Sequence, residues 1–215
     1  MWKKILAATA LSAALLAAPA QAQQVRVYRP DAHLLNIFQR LIGNNSRHDI
    51  QYELYIQDDE SSVNAYSLPD GKVVLLTGLL NALPPGDDNA LAFVMAHEIS
   101  HVELHHVDRL NTQGGLTNLA LGWLSRGQGN ALQGLAGVGS RVLTSGYSRG
   151  MEVEADGHGL ELMRQANYNP RGAITTLQLF QRMEANNGSA RLFPSHPKAD
   201  NRLQDVQNYL QERGY

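Results

Sequence analysis

The 215-residue sequence contains no cysteine, so neither disulfides nor cysteine-linked lipids can stabilise or anchor the chain. A nucleic-acid-binding surface is not expected, because 18 lysines and arginines are balanced by 20 aspartates and glutamates and the net charge is −2. After residue 18 the sequence also lacks an apolar run of the roughly 20 residues that a membrane-spanning helix needs. These absences leave a globular protein held together by its apolar core and, where one binds, a metal ion.

The N-terminus predicts a secretory signal peptide over residues 1–22. Two lysines precede an apolar run over residues 5–18, and a proline then leads into the small-residue tripeptide Ala20-Gln21-Ala22. A membrane anchor is the alternative, but the run has 14 residues and a spanning helix needs roughly 17 to 25. We therefore expect cleavage after Ala22, export to the periplasm or an equivalent compartment, and a mature protein of residues 23–215 that forms one domain.

The pattern of apolar residues predicts an α+β domain that is mostly helical and contains a small antiparallel sheet. Leu68-Pro69-Asp70-Gly71 has turn chemistry and separates two β-rich segments, as in a hairpin. Residues 111–147 are rich in glycine and contain no acid, and we expect one or two closely packed helices there. The longer predicted helices cover residues 30–42, about 87–110, 149–165, about 170–184 and 199–211.

The segment His97-Glu98-Ile99-Ser100-His101 lies in the second of these helices and suggests a metal site. Residues four apart are about 40° apart around a helix, so His97 and His101 can face one metal ion. Glu98 follows the first histidine, where a carboxylate can accept a proton from water that attacks a carbonyl carbon. Two imidazoles with an open coordination position suit zinc, although the residue types alone do not exclude another divalent ion.

A hydrolytic zinc site needs a third protein ligand, which the sequence offers at two places. His105 would lie roughly 12 Å from His97 along one helix, too far to share an ion held at about 2 Å. Glu152 is the better candidate, because Asp156 shares its helix face and could accept the second N–H of a ligand histidine. Glu154 lies about 200° around the helix from Glu152, so only one of the two glutamates can face the site.

The remaining polar residues near these motifs have simpler interpretations. Glu154 is expected to be a solvated surface acid, and His158 a structural or exposed imidazole. His105 and His106 are expected to be surface or packing residues. The extended motif with a third histidine ligand is not present, because Val107 occupies that position.

Several ordered motifs together resemble the gluzincin peptidases that include the CAAX prenyl endopeptidase, the heat-shock protease HtpX and periplasmic quality-control proteases. The resemblance covers most of the mature chain. Its matching segments are Asn64-Ala65-Tyr66, Pro69-Asp70-Gly71, Thr77-Gly78-Leu79-Leu80, the HEISH pentapeptide at 97–101, Ser148-Arg149 with residues 152–156, and Ser195-His196-Pro197 with Arg202.

The resemblance implies a zincin-like fold and a role for each matching residue. His97, His101 and Glu152 would bind one zinc ion, Glu98 would be the catalytic base, and Asp156 would support a ligand histidine. It also places His196 on a loop at the active site, as a fourth zinc ligand in a resting state or as a group that stabilises the oxyanion.

The predicted function is that of a zinc metalloendopeptidase acting on misfolded or unfolded envelope proteins. The segment Asn64-Ala65-Tyr66 is the candidate edge strand, to which an extended substrate could add as a further strand. The alternative for this segment is an ordinary hairpin strand whose edge is covered by segment 111–147. One alternative is a chaperone-like, client-binding zinc protein in which Glu98 is idle. Another is a structural zinc protein whose four coordination positions are filled by His97, His101, Glu152 and His196. Such a closed site would not activate water.

Overall fold

The computed structural model describes residues 26–114, 146–186, 196 and 199–215. The predicted signal peptide over 1–22, most of segment 111–147 and most of the proline-rich segment 193–197 lie outside the described residues. The described elements are, in chain order, β1 (Val27–Tyr28), α1 (Ala32–Ile42), β2 (Glu53–Gln57), β3 (Ala65–Ser67), β4 (Lys72–Leu76), α2 (Thr77–Ala82), α3 (Asp88–Glu103), α4 (His106–Gly114), α5 (Arg149–Gln165), α6 (Gly172–Asn186) and α7 (Ala199–Glu212).

The α+β fold class is confirmed, but the sheet is mixed and not wholly antiparallel. Its order is β1-β2-β4-β3, with β1 antiparallel to β2 and β3 antiparallel to β4. β2 and β4 run parallel, with Glu53 opposite Lys72 and Gln57 opposite Leu76. The chain reverses after β2 and again after β3, so β4 regains the direction of β2 and inserts between β2 and β3. The turn at 68–71 predicts the β3–β4 hairpin, whereas the position of β2 depends on the longer connection over 58–64.

Helix α3 lies at the centre of the fold and carries the HEISH segment. Asp87 caps it, because its carboxylate accepts hydrogen bonds from the backbone N–H groups of Asn89 and Ala90. Every residue from Ala92 to Val102 is buried, as expected for a helix covered on all sides. α1, α5, α6, the edge strand β3 and the central strand β4 all pack against it.

The predicted long helix over 87–110 is two helices, which corrects the sequence interpretation. α3 ends at Glu103, and His105 adopts the left-handed conformation with φ 58°. Its N–H donates to the carbonyl of Val102, as in other helix ends that finish on a left-handed residue. The apolar repeat continues through Val107 and therefore gives no sign of the break. α4 starts at His106 in a new direction, and both His106 and Val107 are buried.

Helix α5 crosses α3 closely at the metal-site motif. A Cβ atom added to Gly159 would lie 3.2 Å from the backbone nitrogen of His97, so glycine permits the two helices to approach there. Ala155, fully buried, lies one turn earlier on the same helix. This crossing brings the acidic residues of α5 to the histidines of α3. Within the part of the chain that the structure describes, no helix has the length and apolar character needed to cross a membrane.

Candidate metal centre and active site

Four predicted site residues converge at the crossing of α3 and α5. His97 and His101 come from α3, Glu152 from the first turn of α5, and His196 from the connection between α6 and α7. Each of the four residues offers one ligand atom, and these four atoms lie within 4.8 Å of one another. Among the described residues, they are the cluster that could hold a metal ion. The side chain of Glu152 is 0% exposed and that of His101 is 0% exposed, so solvent reaches neither.

The separations between these atoms fit a tetrahedral zinc site. Ligands held about 2.0 to 2.1 Å from zinc lie about 3.3 Å from one another. Nε2 of His97 and Nε2 of His101 are 3.0 Å apart. Glu152 lies 3.4 Å from Nε2 of His101 through Oε1 and 3.7 Å from Nε2 of His97 through Oε2. Two imidazoles and one carboxylate are also the ligand set of catalytic zinc in proteases, so the residues present fit this metal.

Burial and neighbouring charges together determine the protonation of these ligands. Burial lowers the pKa of His101 to about 3, despite its hydrogen bond to Glu152, so the imidazole is neutral and able to bind a metal. For Glu152, burial acts to raise the pKa, but the positive charges of His196 and Arg202 hold the pKa well below its usual range. The pair therefore offers a neutral nitrogen and an ionised oxygen, the forms that metal binding requires.

Arg202 and Asp156 form a buried ion pair behind the ligands. Oδ1 of Asp156 lies 2.9 Å from Nδ1 of His97, in the position expected of a carboxylate that orients a ligand histidine. The Arg202 guanidinium donates two hydrogen bonds to this carboxylate, at 2.6 and 2.8 Å, and its Nη1 lies 2.7 Å from Glu152. Arg202 belongs to the motif that carries the family resemblance, but the sequence analysis assigned it no role.

His106 occupies a buried position at the outer nitrogen of His101, which the sequence analysis did not anticipate. Its Nδ1 lies 3.0 Å from Nδ1 of His101, and its Nε2 lies 3.0 Å from Oε2 of Glu154. The ring of Tyr147 stacks on that of His101, with centroids 3.6 Å apart and an interplanar angle of 14°. In one continuous helix His106 would lie about 140° around the axis from His101, so only the break after α3 explains the contact.

Glu98 lies beside the cluster and has a partner at each carboxylate oxygen. Oε2 accepts a hydrogen bond of 3.1 Å from the Ser67 hydroxyl, and Oε1 lies 3.2 Å from Nε2 of His196. Burial alone would raise the pKa of Glu98, but the hydrogen bond and positive charge of His196 are the largest of the interactions that lower it to about 2. The carboxylate is therefore ionised and oriented.

His196 lies between two carboxylates. Its Nδ1 is 2.9 Å from Oε1 of Glu152, while its Nε2 faces Glu98. Burial acts to lower the pKa of His196, but Glu152 and Glu98 together raise it to about 10. Nδ1 of His196 also lies 3.4 Å from Nε2 of His97, so this imidazole is close enough to contact a molecule or ion bound by the ligand atoms.

The other sequence-predicted residues lie outside this centre. His105 is on the surface, beside Asp108 and Arg47. His158 bonds the Ser100 hydroxyl and lies 3.2 Å from the buried carboxylate of Glu103, an arrangement that braces α3 against α5. The Glu154 side chain is 58% exposed, as expected for a surface acid, but its contact with His106 connects it to the site.

Strand β3 forms one edge of the described sheet and passes the site. Backbone hydrogen bonds join Asn64 to Leu76 and Leu68 to Lys72, and Tyr66 is opposite Val74 between them. Because bonded residues alternate along an antiparallel pair, the backbone groups of Ala65 and Ser67 face away from β4. Ser67 turns its side chain towards Glu98, while Tyr66 is buried on the opposite face of the sheet and donates to Gln57. An apolar cavity beside His97 and Glu98 is lined by Asn64, Ala65, Leu79, Phe93, Val94 and Phe180.

Comparison with known proteins supports this interpretation of the site. The sequence profile of peptidase family M48 matches residues 29–210, almost the whole described chain. The chain belongs to this family. The predicted resemblance and the predicted metallopeptidase activity are thereby confirmed, and the His97, His101 and Glu152 cluster agrees with an HExxH site that has glutamate as its third ligand.

The similar proteins are metalloproteases of greater length. Metalloprotease LoiP of Escherichia coli (strain K12) is 27% identical over 85% of this chain and 72% of its own length. Mitochondrial metalloendopeptidase OMA1 of Schizosaccharomyces pombe is 32% identical over 86% of this chain and 55% of its own length. The β-barrel assembly-enhancing protease of Escherichia coli (strain K12) is 29% identical over 71% of this chain, but only 33% of its own length is matched.

Proposed function

We propose that this M48 peptidase is an exported endopeptidase that binds one zinc ion through His97, His101 and Glu152 and cleaves internal peptide bonds of unfolded or misfolded polypeptides. When bound, zinc supplies Lewis-acid polarisation of the scissile carbonyl and acidifies water. The N-terminal sequence over residues 1–22 is the support for export. The support for an extended substrate is the edge strand β3, whose outward backbone groups at Ala65 and Ser67 lie beside the site.

The position of Glu98 is the observation that favours catalysis over a purely structural metal site. A structural site needs no ionised carboxylate beside its ligands, and burying one is costly. Here Glu98 is buried, ionised and oriented by Ser67, as a general base must be. In this proposal Glu98 takes the proton from the attacking water on Oε1 and then delivers it to the leaving nitrogen.

His196 has a separate role in the proposed reaction. It lies between two carboxylates, with Nε2 toward Glu98 and Nδ1 toward Glu152. An imidazole N–H donor at this position stabilises negative charge on the carbonyl oxygen as the peptide bond is attacked. It can also interact with the ligand set before substrate arrives, which is consistent with its place within 4.8 Å of the other three ligand atoms.

Cleavage of an unfolded protein by the full chain tests the proposal, with Glu98→Gln as the matched control. Glutamine keeps the shape of the side chain and accepts the Ser67 hydrogen bond, but it cannot take a proton. We expect zinc-loaded wild type to release internal fragments from a labelled, permanently unfolded casein. Glu98→Gln should retain its zinc and lose activity by at least about 100-fold.

The same assay separates the proposal from a client-binding protein. A client-binding protein would capture the casein without cleaving it, and wild type and Glu98→Gln would then behave alike. Equal turnover by both proteins would show that Glu98 is not the base.

A further inference from the structure

Three side chains form a hydrogen-bonded line that leads from the metal-site cluster to the protein surface. Nδ1 of His101 lies 3.0 Å from Nδ1 of His106, and Nε2 of His106 lies 3.0 Å from Oε2 of Glu154. The first two imidazoles are fully buried, while the carboxylate is 58% exposed. Glu154 thus reaches the centre through His106, although it lies on the opposite side of α5 from Glu152.

The order of donors along this line follows from the position of His101. Its Nε2 faces His97 and Glu152, so the proton of a neutral His101 that binds a metal must be on Nδ1. That N–H can donate only if Nδ1 of His106 carries no proton. His106 then holds its own proton on Nε2, from which it donates to the Glu154 carboxylate. One tautomer of each histidine satisfies every contact.

We propose that His106 and Glu154 are positioning residues for the metal ligand His101. The inference rests on the proposed function, because it assumes that His101 binds zinc through Nε2. Glu154 holds His106 in the tautomer that accepts from His101, and His106 in turn fixes the rotation of the His101 ring. A histidine ligand with such an outer acceptor is a stronger and better oriented donor.

The fold is built around this contact. The left-handed backbone at His105, with φ 58°, ends α3 and turns His106 back over His101. Tyr147 stacks on the other side of the His101 ring, so the ring is held both along its face and at its outer nitrogen. The neighbouring His105 shows the contrast, because its side chain is 57% exposed and contacts only surface groups.

The two ligand histidines are therefore supported in different ways. His97 faces the Asp156 carboxylate, whose charge is balanced by Arg202 in the interior. His101 faces a neutral imidazole, and the carboxylate behind it is open to solvent. Glu154 can consequently be replaced without leaving a buried charge unpaired, so its effect on metal binding can be measured in a folded protein.

Zinc affinity, measured by competition with a chromophoric chelator, tests the proposal. The variant Glu154→Ala removes the end of the line, and Glu161→Ala is its control, because Glu161 lies on the same helix and contacts only Arg164 and Gln165. We expect Glu154→Ala to bind zinc about 10-fold more weakly and Glu161→Ala to match wild type. The cobalt-substituted Glu154→Ala protein should also show an altered visible absorption spectrum.

A second matched pair probes the imidazole itself. His106→Phe fills a similar volume without an acceptor, and His33→Phe is the control, because His33 is an exposed histidine of α1. We expect His106→Phe to bind zinc up to about 100-fold more weakly, and His33→Phe to bind normally. If His106→Phe fails to fold, the zinc affinity of Glu154→Ala tests the proposal by itself.

The outcomes separate this inference from the proposed function. A wild-type protein that binds zinc and cleaves unfolded protein, with Glu154→Ala as tight as wild type, would overturn the inference and leave the proposed function intact. Wild type that binds no zinc would overturn both. A purely structural contact is also distinguishable, since it would lower the unfolding midpoint of the chelator-treated protein while leaving zinc affinity in the folded variant unchanged.

Discussion

Nη1 of Arg202 lies 2.7 Å from Oε2 of Glu152, a fully buried carboxylate at the centre of the metal site. The same guanidinium bonds both oxygens of Asp156, so one cation serves two buried anions. Burial acts to lower the pKa of Arg202, but the negative charges of Asp156 and Glu152 raise it further above its usual range, so Arg202 stays charged. Its planar group makes this double contact possible, whereas a lysine could not bond both carboxylates in the same way.

We predict that Arg202→Met destabilises the protein by about 3 to 5 kcal/mol, because it leaves buried carboxylates without their cation. Urea unfolding measures the loss in the presence of a zinc chelator. Added zinc should recover part of the stability, since the metal supplies positive charge beside Glu152. Arg213→Met is the control, because Arg213 lies near the end of the chain and stacks on Tyr209 at the surface. Equal stability of the two variants would refute the role of Arg202.

The Ser67 hydroxyl connects the edge strand to the candidate base. It donates a hydrogen bond of 3.1 Å to Oε2 of Glu98, and both groups are buried. We predict that Ser67→Ala lowers kcat about 10-fold, which is about 1.4 kcal/mol, because Glu98 loses one of the contacts that orient it. Zinc content should not change. Ser61→Ala is the control, since Ser61 bonds only Asp59 in the preceding exposed connection. Steady-state kinetics that show equal kcat for both variants would contradict the prediction.

Local sequence patterns predicted α1, α3, α5, α6 and α7, but neither α2 nor the separation of α4 from α3. The helix over 149–165 was expected from a capping serine and coincides with α5, and the two-histidine spacing places both imidazoles of α3 on one side. These features depend on residues close together in the chain, where periodicity and capping determine the outcome. Glu152 and Asp156 also share a face, as four-residue spacing requires.

The features that sequence analysis missed depend on contacts between distant segments. The parallel pairing of β2 with β4 depends on the path of the 58–64 connection, and no turn motif in the sequence indicates it. The apolar repeat continues past the break at His105 and therefore does not indicate it. Val107 fits the repeat and is buried, as it would be both in one continuous helix and in two separate helices. The roles of Ser67 and Arg202 likewise appear only when three or four separate segments meet.

His196 distinguishes a catalytic centre from a closed structural one. If it were an essential fourth ligand of a structural site, its loss would release the metal and destabilise the fold. We predict instead that His196→Ala remains folded and keeps its zinc, because His97, His101 and Glu152 still supply three ligands. Metal analysis after gel filtration measures this. Glu152→Gln is the comparison and should lose most of its zinc, since a ligand loses its charge. A metal-free His196→Ala protein would favour the structural site.

Two helical glycines give predictions of opposite sign for stability. A Cβ atom at Gly172 would lie 2.3 Å from both the carbonyl carbon and oxygen of Asn89 and 2.7 Å from the nitrogen of Ala90. These are backbone atoms at the start of α3 and cannot move aside, so Gly172→Ala must push α6 away from α3. We predict a destabilisation of about 1 to 3 kcal/mol, the usual cost of overpacking a core.

At Gly157, within α5, the nearest atom to an added Cβ is Cε2 of Tyr209, at an ordinary contact distance of 3.9 Å. Alanine there meets no clash and restricts the unfolded chain, so Gly157→Ala should stabilise the protein by roughly 0.5 to 1 kcal/mol. Urea unfolding of both variants under identical zinc conditions measures the two changes. Helix propensity favours alanine at both positions. If both substitutions lowered stability by the same amount, the close approach of α6 to the start of α3 would therefore not explain the loss at Gly172.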